Sequence, residues 1–265
     1  MQRVFITGAS SGLGRALAQE YARRGARLGL LARRDDRLQE LLRTLPDPSL
    51  HHVYAADVND HAALRAAAAD FVQRAGGADV VIANAGISYG TLTERSADLD
   101  VFAQVIQTNV IATAATFAPF IDAMKAQAAA GERGLRLVGI ASVAGIRGLP
   151  GAEAYSASKA AVISYCESLR VELRGQGIRV VTIAPGYIDT PMTQVNDYPM
   201  PFLLPAARFA QRAWRVIDAG RSYAVIPWPM RGVSWLLRLL PNWLYDRLFA
   251  RAPHKPSYDD IHSRQ

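Results

Sequence analysis

Cysteine is almost absent from this chain of 265 residues. The one cysteine, Cys166, cannot form an internal disulfide, so we expect a protein of a reducing compartment, the cytoplasm. No histidine lies near Cys166 in the sequence, and we interpret it as a buried thiol of a helix core in preference to a nucleophile. The first strand-like run begins at Val4, and we expect no signal peptide ahead of it.

Lysine is scarce as well, with only three residues beside 27 arginines. The formal charge of +7 is uneven, because residues 1–203 carry a net charge of +1 and residues 204–265 carry +6. All four tryptophans lie in this basic C-terminal part: Trp214, Trp228, Trp235 and Trp243. No Gly/aromatic RNA-binding pattern accompanies them, so we expect no nucleic-acid partner. The bias favours a membrane surface or a protein partner.

The C-terminal part also lacks an uninterrupted apolar run. Residues 230–250 are apolar but are broken by Arg238, Pro241 and Asp246, and so fall short of the roughly 20 residues of a membrane span. This stretch could lie flat on the inner surface of a membrane, or it could pack on the protein or on another subunit. The sequence leaves these alternatives open. We predict no metal site.

Short apolar runs alternate with longer helical patterns up to residue 183. The runs are Val4–Thr7, Arg27–Leu31, His52–Ala55, Val80–Ala83, Leu135–Ala141 and Arg179–Ile183, followed later by Ser222–Ile226. Helical stretches lie near 12–24, 35–44, 60–75, 97–128 and 153–174. Runs of Val, Ile and Leu without polar alternation are typical of parallel strands buried on both faces. We therefore predict an α/β fold, a single doubly wound Rossmann-type domain. Its mostly parallel seven-stranded sheet is flanked by helices, with the ligand site at the carboxyl ends of the strands.

The pattern changes after this region. Residues 185–205 contain five prolines and predict one long loop. We predict a catalytic domain over residues 1–227, with a substrate loop at about 187–205. Residues 228–265 form an apolar helical C-terminal extension that is not an independent domain.

A glycine-rich turn follows the first strand and opens the first helix. Its sequence, Thr-Gly-Ala-Ser-Ser-Gly-Leu-Gly, spans Thr7–Gly14. Glycines allow a tight turn and the close approach of a pyrophosphate to the helix amino terminus, where N–H groups and the helix dipole favour negative charge. A glycine cluster alone would also suit an ordinary turn, but its position favours nucleotide binding.

This turn resembles the cofactor turn of the short-chain dehydrogenase/reductase family, and other motifs match in the family's order. They are Asp57-Val58, Asn84-Ala85-Gly86, Asn109 on the fourth helix, Ser142 after the fifth strand, Tyr155 with Lys159 on the fifth helix, and Pro185-Gly186. The resemblance covers about residues 1–192. It implies an oxidoreductase whose cofactor is contacted by Gly8, Ser10, Ser11, Gly12, Leu13, Gly14, Asp57, Val58, Asn84, Ala85, Gly86, Tyr155, Lys159, Pro185, Gly186, the Ile188 backbone and the Thr190 side chain.

The catalytic prediction centres on Tyr155 and Lys159, which lie one turn apart on one helix face. A tyrosine with a pKa of about 10 is a poor acid–base catalyst at neutral pH. We expect the Lys159 ammonium, together with the positive nicotinamide ring, to lower the pKa of Tyr155. By the resemblance, Ser142 would hydrogen-bond the substrate carbonyl, and Asn109 would hold a water that links Lys159 to solvent. The alternatives are an ordinary strand-end serine and an asparagine that bonds only nearby backbone.

The choice of dinucleotide follows from the end of the second strand. Enzymes that use NAD usually carry an acidic residue there, whereas this chain has Ala32 followed by Arg33. Arg33 could pair with a 2′-phosphate, and Arg15 is a second candidate. Solvated arginines are the simpler alternative. We predict that NADP(H) is preferred, with NAD(H) as the alternative cofactor.

The substrate is predicted less closely. Apolar residues near the site suggest a hydrophobic ketone, aldehyde or alcohol: Ile146, Leu149, Met192, Met200, Phe202 and Leu203. We expect an NADP(H)-dependent enzyme that forms a homodimer or homotetramer. The rival interpretations are a non-catalytic NADP(H)-binding regulator and a membrane-recruited scaffold. An epimerase or dehydratase would need a larger C-terminal substrate domain.

Overall fold

Seven parallel strands form the central sheet of the protein. A computed structural model describes residues 1–196, 198–252 and 254–262. The strands in chain order are β1 (Arg3–Thr7), β2 (Arg27–Ala32), β3 (His52–Ala55), β4 (Val80–Ala83), β5 (Leu135–Ile140), β6 (Ile178–Pro185), β7 (Ile188–Asp189), β8 (Leu204–Pro205) and β9 (Tyr223–Ile226). The large sheet has the order β3-β2-β1-β4-β5-β6-β9, and every pair in it is parallel. The predicted doubly wound α/β fold is confirmed, and the strand order reverses between β1 and β4, where such folds bind ligands.

Helices cover both faces of this sheet. They are α1 (Gly12–Arg23), α2 (Asp35–Thr44), α3 (His61–Ala75), α4 (Asp98–Ile106), α5 (Ala112–Ala129), α6 (Glu153–Glu172), α7 (Pro191–Gln194), α8 (Ala206–Asp218), α9 (Pro229–Leu239), α10 (Asn242–Phe249) and α11 (Tyr258–His262). A π-helical turn, Gln107–Ile111, joins α4 to α5. Helices α1, α2 and α8 pack on one face, and α3, α5 and α6 pack on the other.

Aromatic side chains fill the core on the second face. The rings of Phe71 and Phe120 lie 5.5 and 4.9 Å from that of Phe5. Gly29 on β2 leaves room for them, because an added Cβ would lie 2.6 Å from ring carbons of Phe5 and Phe71. Cys166 is buried in the same cluster, and burial raises the pKa of its thiol to about 11. This confirms the interpretation of Cys166 as an unreactive core thiol.

One stretch has the length and apolarity of a membrane span. Asp98–Ala129 meets both criteria, within the part of the chain that the structure describes. Its residues Phe117, Phe120 and Met124 are fully buried against the sheet and its neighbouring helices. We therefore interpret this stretch as a core helix of the α/β fold.

The prediction of one long loop over residues 185–205 is wrong in part. Strands β7 and β8 pair with each other, and α7 lies between them. Two of the prolines mark the beginnings of helices: Pro191 is the first residue of α7, and Pro205 precedes α8. Proline is favoured at such positions because the first helical N–H groups have no partner within the helix. Thr190 and Thr193 form a capping box at the beginning of α7.

The C-terminal extension folds back onto the loop after β5. Arg147 donates hydrogen bonds to the carbonyl oxygens of Leu237 and Leu240, at 2.8 and 2.7 Å, and to Asn242 Oδ1 at 3.0 Å. Its guanidinium also lies 4.0 Å from the ring centre of Tyr245. Helices α9 and α10 thus pack within the molecule, which was one of the alternatives that the sequence left open. The membrane alternative stays a prediction for the opposite face, where Trp235 and other apolar side chains are exposed.

Candidate active site

A cavity of about 930 Å³ opens at the carboxyl ends of the strands. Nearly all the residues predicted to bind a cofactor or to act in catalysis line it. The exceptions are Gly14, Arg15 and Asn109. The sheet topology brings these residues together from sequence positions as far apart as Gly8 and Thr190, because parallel strands end at one edge.

The glycine turn forms one wall of this cavity. Gly8 and Gly12 adopt φ values of 67° and 53°, a left-handed backbone that favours glycine. Gly14 is needed for close packing, because an added Cβ would lie 2.6 Å from Asn84 Nδ2. The N-cap residue Ser11 makes no side-chain capping bond, so the first N–H groups of α1 are available to a phosphate.

Asn84 ties the end of β4 to this turn. Its Nδ2 donates to the carbonyl oxygens of Thr7 and Gly8 at 2.9 and 3.3 Å. Thr7 Oγ1 in turn accepts from the backbone N–H groups of Asn84 and Ala85 at 3.1 and 3.2 Å. The two strand ends at the switch point are therefore held together by side-chain bonds as well as by the sheet. Ala85 and Gly86 continue this cavity wall.

Tyr155 and Ser142 lie together at the opposite wall. Both residues line the cavity, and Ser142 lies close enough to the Tyr155 hydroxyl to affect its pKa. The Ser142 oxygen accepts from the backbone N–H of Ala144 at 3.1 Å. Burial raises the pKa of Tyr155, and Ser142 opposes that shift.

Lys159 is enclosed behind Tyr155. Its Nζ donates to the carbonyl oxygen of Ile140 at 2.9 Å and lies 5.8 Å from the Tyr155 ring centre. Burial, with a smaller contribution from the charge of Lys255, lowers the pKa of Lys159 to about 8. In the protein alone, burial is the largest influence on the pKa of Tyr155 and raises it. The lowering that we expect from Lys159 together with the nicotinamide stays a prediction.

Asn109 lies in the π-helical turn between α4 and α5. Its Oδ1 accepts from the N–H of Ile87 at 2.9 Å, and its Nδ2 donates to the Ile87 oxygen and to Ser158 Oγ at 3.0 and 2.9 Å. Thr113 Oγ1 donates to its backbone oxygen at 2.8 Å. Asn109 thus clamps the segment after Gly86, and π-turns of this kind are frequent at functional sites. Its role in a water link to Lys159 stays a prediction.

The positions of the arginines in the structure differ from the sequence prediction. Arg33 lines the cavity, is 72% exposed, and lies 3.9 Å from Asp57. Arg15 is paired with Glu40 at 3.1 Å and does not line the cavity, so the structure does not bring it to the site. Arg34 does reach the glycine turn, because its Nη2 donates to Ser10 Oγ and Ser11 Oγ at 3.2 Å each. Sequence reasoning missed Arg34, since spacing along α1 and β2 does not show which guanidinium points inward.

The third wall comes from the segment after β6. Thr190 is packed beside the glycine turn, since a Cβ on Gly12 would lie 3.5 Å from Thr190 Cβ. Ile188 is buried, and its carbonyl oxygen accepts from Thr193 Oγ1 at 2.6 Å. The Ile188 backbone and the Thr190 side chain therefore face the same cavity as the turn.

The predicted apolar pocket wall is mostly elsewhere. Of the six residues named for it, only Met192 lines the cavity. Ile146 packs into a small cluster with Val225 and Met230, because the extension covers that side of the loop. Phe202 and Leu203 are exposed.

Two C-terminal residues reach the site unexpectedly. Tyr258 lines the cavity, and the Lys255 ammonium lies 4.8 Å from the ring centre of Tyr155. The scarcity of lysine in the chain is the only sequence signal that could have singled out Lys255.

Comparison with known proteins agrees with this geometry. A family description of short chain dehydrogenases matches residues 2–199. The chain belongs to the short-chain dehydrogenase/reductase family. It is 39% identical over 257 residues to an uncharacterised oxidoreductase of Myxococcus xanthus, with 91% of this chain and 93% of the relative covered.

Solved structures of the family are similar as well. A short-chain dehydrogenase/reductase of Burkholderia phymatum in complex with NAD matches with a TM-score of 0.80 and 25% identity, over 96% of this chain and 97% of that one. A variant of the actinorhodin polyketide ketoreductase with NADPH matches with a TM-score of 0.75 and 25% identity, over 85% and 95%. The protein is thus a family oxidoreductase that acts on CH–OH or C=O groups with a nicotinamide cofactor. The glycine cradle and the uncapped start of α1 fit that cofactor.

Proposed function

We propose that this enzyme interconverts a ketone or aldehyde with its alcohol, with NADP(H) as the preferred cofactor and Tyr155 as the general acid and base. The observation that carries the proposal is that Ser142, Tyr155 and Lys159 line one cavity together, with Lys159 held by a hydrogen bond to Ile140. A regulator that only bound the dinucleotide would not need this constellation.

When bound, the nicotinamide would supply the hydride for the carbonyl carbon or accept it from the alcohol. Ser142 would donate a hydrogen bond to the carbonyl oxygen and keep its proton, while its own oxygen accepts from the Ala144 N–H. Tyr155 then gives its phenolic proton to that oxygen as negative charge develops. The raised pKa keeps Tyr155 protonated at neutral pH, which suits the direction of carbonyl reduction.

Lys159 has a supporting role in this scheme. One proton of its ammonium is donated to Ile140, which fixes the side chain under Tyr155 and leaves its other protons for the ribose or a water. Asn109 holds the segment after Gly86 through its amide oxygen and its amide nitrogen, which both bond to the backbone of Ile87. We propose that its turn also orders the water through which Tyr155 regains its proton.

The preference for NADP(H) is supported by the charges around the end of β2. No acid stands at Ala32, and the exposed Arg33 lies at the cavity with Arg34 beside it. Arg34 already bonds two serines of the glycine turn, so a phosphate placed there would meet a held guanidinium. Arg34 thus takes the position that the sequence suggested for Arg15.

Arginine variants test this preference. Arg33→Ala and Arg34→Ala are each expected to raise KM for NADPH by about 10- to 100-fold, from one lost charge-assisted bond, with little change for NADH. Arg37→Ala is the matched control, because Arg37 pairs with Glu40 on the outer face of α2 and does not line the cavity. Equal efficiency of wild type with NADPH and NADH would contradict the preference.

The reaction itself is tested by following NADPH oxidation over a panel of aldehydes, ketones and steroids. We expect turnover with at least one hydrophobic carbonyl, and a fall of about 100- to 1,000-fold in kcat for Ser142→Ala, the usual loss when one donor to a developing oxyanion is removed. No turnover with any carbonyl would count against the proposed reaction. A homodimer or homotetramer remains part of the proposal, supported by the exposed Leu99 on α4 and Val171 on α6.

A further inference from the structure

The end of the chain returns to the active site. Ser257 forms a parallel bridge with Gly90, and the Gly90 N–H donates to the Pro256 oxygen at 2.7 Å. The ring of Tyr258 lies edge-on to Tyr89, with centres 5.1 Å apart. The C-terminal segment, residues 254–262, is therefore attached to the loop after β4 beside the cavity.

Two glycines make room for this segment. An added Cβ on Gly90 would lie 2.9 Å from the Lys255 carbonyl carbon and nearer still to its oxygen. An added Cβ on Gly151 would lie 2.5 Å from His254 Cγ. The loops after β4 and β5 thus both lack side chains where the C-terminal segment crosses them.

This crossing places the Lys255 ammonium next to Tyr155, which lines the cavity. Lys255 Nζ donates to Ser88 Oγ and lies 4.8 Å from the Tyr155 ring centre, nearer than the 5.8 Å of Lys159 Nζ. No carboxylate of residues 1–196, 198–252 or 254–262 forms an ion pair with it. The ammonium end is closely surrounded by protein, and burial lowers its pKa to about 8.

A cation in such surroundings is costly unless an anion pairs with it. Lys159 already supplies a cation to Tyr155, so a second ammonium adds positive charge that the proton transfer does not require. Ser88 and the face of an aromatic ring are weak partners for a full charge. A ligand that brings a negative charge next to the reacting carbonyl would complete the arrangement.

We propose that Lys255 is a substrate-binding residue whose ammonium pairs with a carboxylate attached to the carbonyl carbon that is reduced or to the carbon next to it. The proposal rests on the proposed function, since it names the substrate class of the same site. Because Lys255 Nζ lies 4.8 Å from the ring centre of the proton donor, an anion that it holds would lie near the reacting carbon. The substrate class is then a 2-oxo or 3-oxo acid, which differs from a neutral hydrophobic ketone by its negative charge.

Matched acids and esters test this assignment. The probes are 2-oxo-2-phenylacetate and 3-oxobutanoate, each compared with its methyl ester in NADPH oxidation. Wild type is expected to favour at least one acid over its ester. Lys255→Met is expected to raise KM for that acid by about 10- to 100-fold and to leave the ester within about twofold. Lys255→Arg keeps the charge and is expected to retain the acid preference.

The outcomes separate specificity from other roles of Lys255. Lys125→Met is the control, because Lys125 lies on α5 and does not line the cavity. An equal loss for acid and ester in Lys255→Met would overturn the proposal, since it would show that Lys255 acts on Tyr155 or on folding. Gly90→Ala keeps an ordinary backbone φ but displaces the segment, and it is expected to reproduce the selective loss for the acid. An unchanged acid preference in Gly90→Ala would also count against the proposal.

Binding without turnover distinguishes this proposal from the proposed function. Calorimetric titration of benzoate and benzamide into the NADPH complex reports on the anion alone. Benzoate binding that Lys255→Met abolishes, with no turnover of any probe, supports the anion site and contradicts the reductase function. The opposite outcome has two parts: the esters are turned over with no preference for the acids, and benzoate and benzamide bind equally. That outcome supports the reductase function and overturns the anion site.

Discussion

Replacing Gly14 by alanine tests the packing of the glycine turn. The added methyl group would lie 2.6 Å from Asn84 Nδ2 and 2.8 Å from the Gly8 carbonyl carbon. Neither neighbour can swing away, because one is backbone and the other is held by bonds to Thr7 and Gly8. The turn must therefore move away from α1.

The energetics of this change can be weighed. Alanine in a helix is favoured over glycine by about 1 kcal/mol. Overpacking costs about 1–3 kcal/mol, and a weakened Asn84 hydrogen bond costs about 1 kcal/mol more. The unfavourable terms are larger, so we expect Gly14→Ala to lower the free energy of unfolding by about 1–3 kcal/mol.

Urea unfolding measures that loss, and NADPH fluorescence measures the effect on the cofactor site. We expect the Kd for NADPH to rise by about tenfold or more, because the moved turn loses about 1.4 kcal/mol or more of phosphate contact. Gly175→Ala is the matched control, since its added Cβ meets nothing within 4 Å, and its stability should stay within about 0.5 kcal/mol of wild type. Wild-type stability and wild-type NADPH affinity in Gly14→Ala would refute the reasoning.

Two further predictions concern the extension and Lys159. Trp228, Trp235 and Trp243 are exposed, and changing all three to glutamine is expected to abolish flotation of the protein with anionic phospholipid vesicles. NADPH turnover should stay unchanged. Flotation that persists in this variant would contradict a role of the extension at a membrane interface. Burial lowers the pKa of Lys159 in the folded protein to about 8, whereas the unfolded chain has the ordinary value of 10.5. Between these two pH values the Lys159 amine is protonated only in the unfolded chain. Urea titrations should therefore show wild type gaining about 3 kcal/mol of stability relative to Lys159→Met over this window as pH rises, and a constant difference would contradict the burial effect.

The strongest sequence patterns predicted the fold well. The bounds of β3 and β4 agree with the structure, because short runs of Val, Ile and Ala between polar turns have few other arrangements. The prolines after β6 misled the prediction, since a proline that begins a helix and a proline in a loop look alike in a sequence. The capping box that Thr190 and Thr193 form at α7 was not predictable from the sequence, because it depends on the folded backbone.

The candidate site was predictable where residues follow a strand directly. Ser142 and Asn84 come at strand ends, so the topology alone places them at the crevice. Contacts between distant segments were not predictable. Lys255 and Ser88 are 167 positions apart, and nothing in the spacing joins them. The effect of burial on the pKa of Tyr155 was not predictable either, because it depends on the packed structure and not on the motif.

The central claim is that Tyr155 transfers the proton in carbonyl reduction. It is tested by steady-state NADPH oxidation in Tyr155→Phe with whichever carbonyl wild type accepts, together with the Kd for NADPH. We expect kcat to fall by about 100- to 10,000-fold, the usual contribution of a positioned general acid, while the Kd stays within about twofold. A Tyr155→Phe enzyme that turns over within a few-fold of wild type would contradict the mechanism.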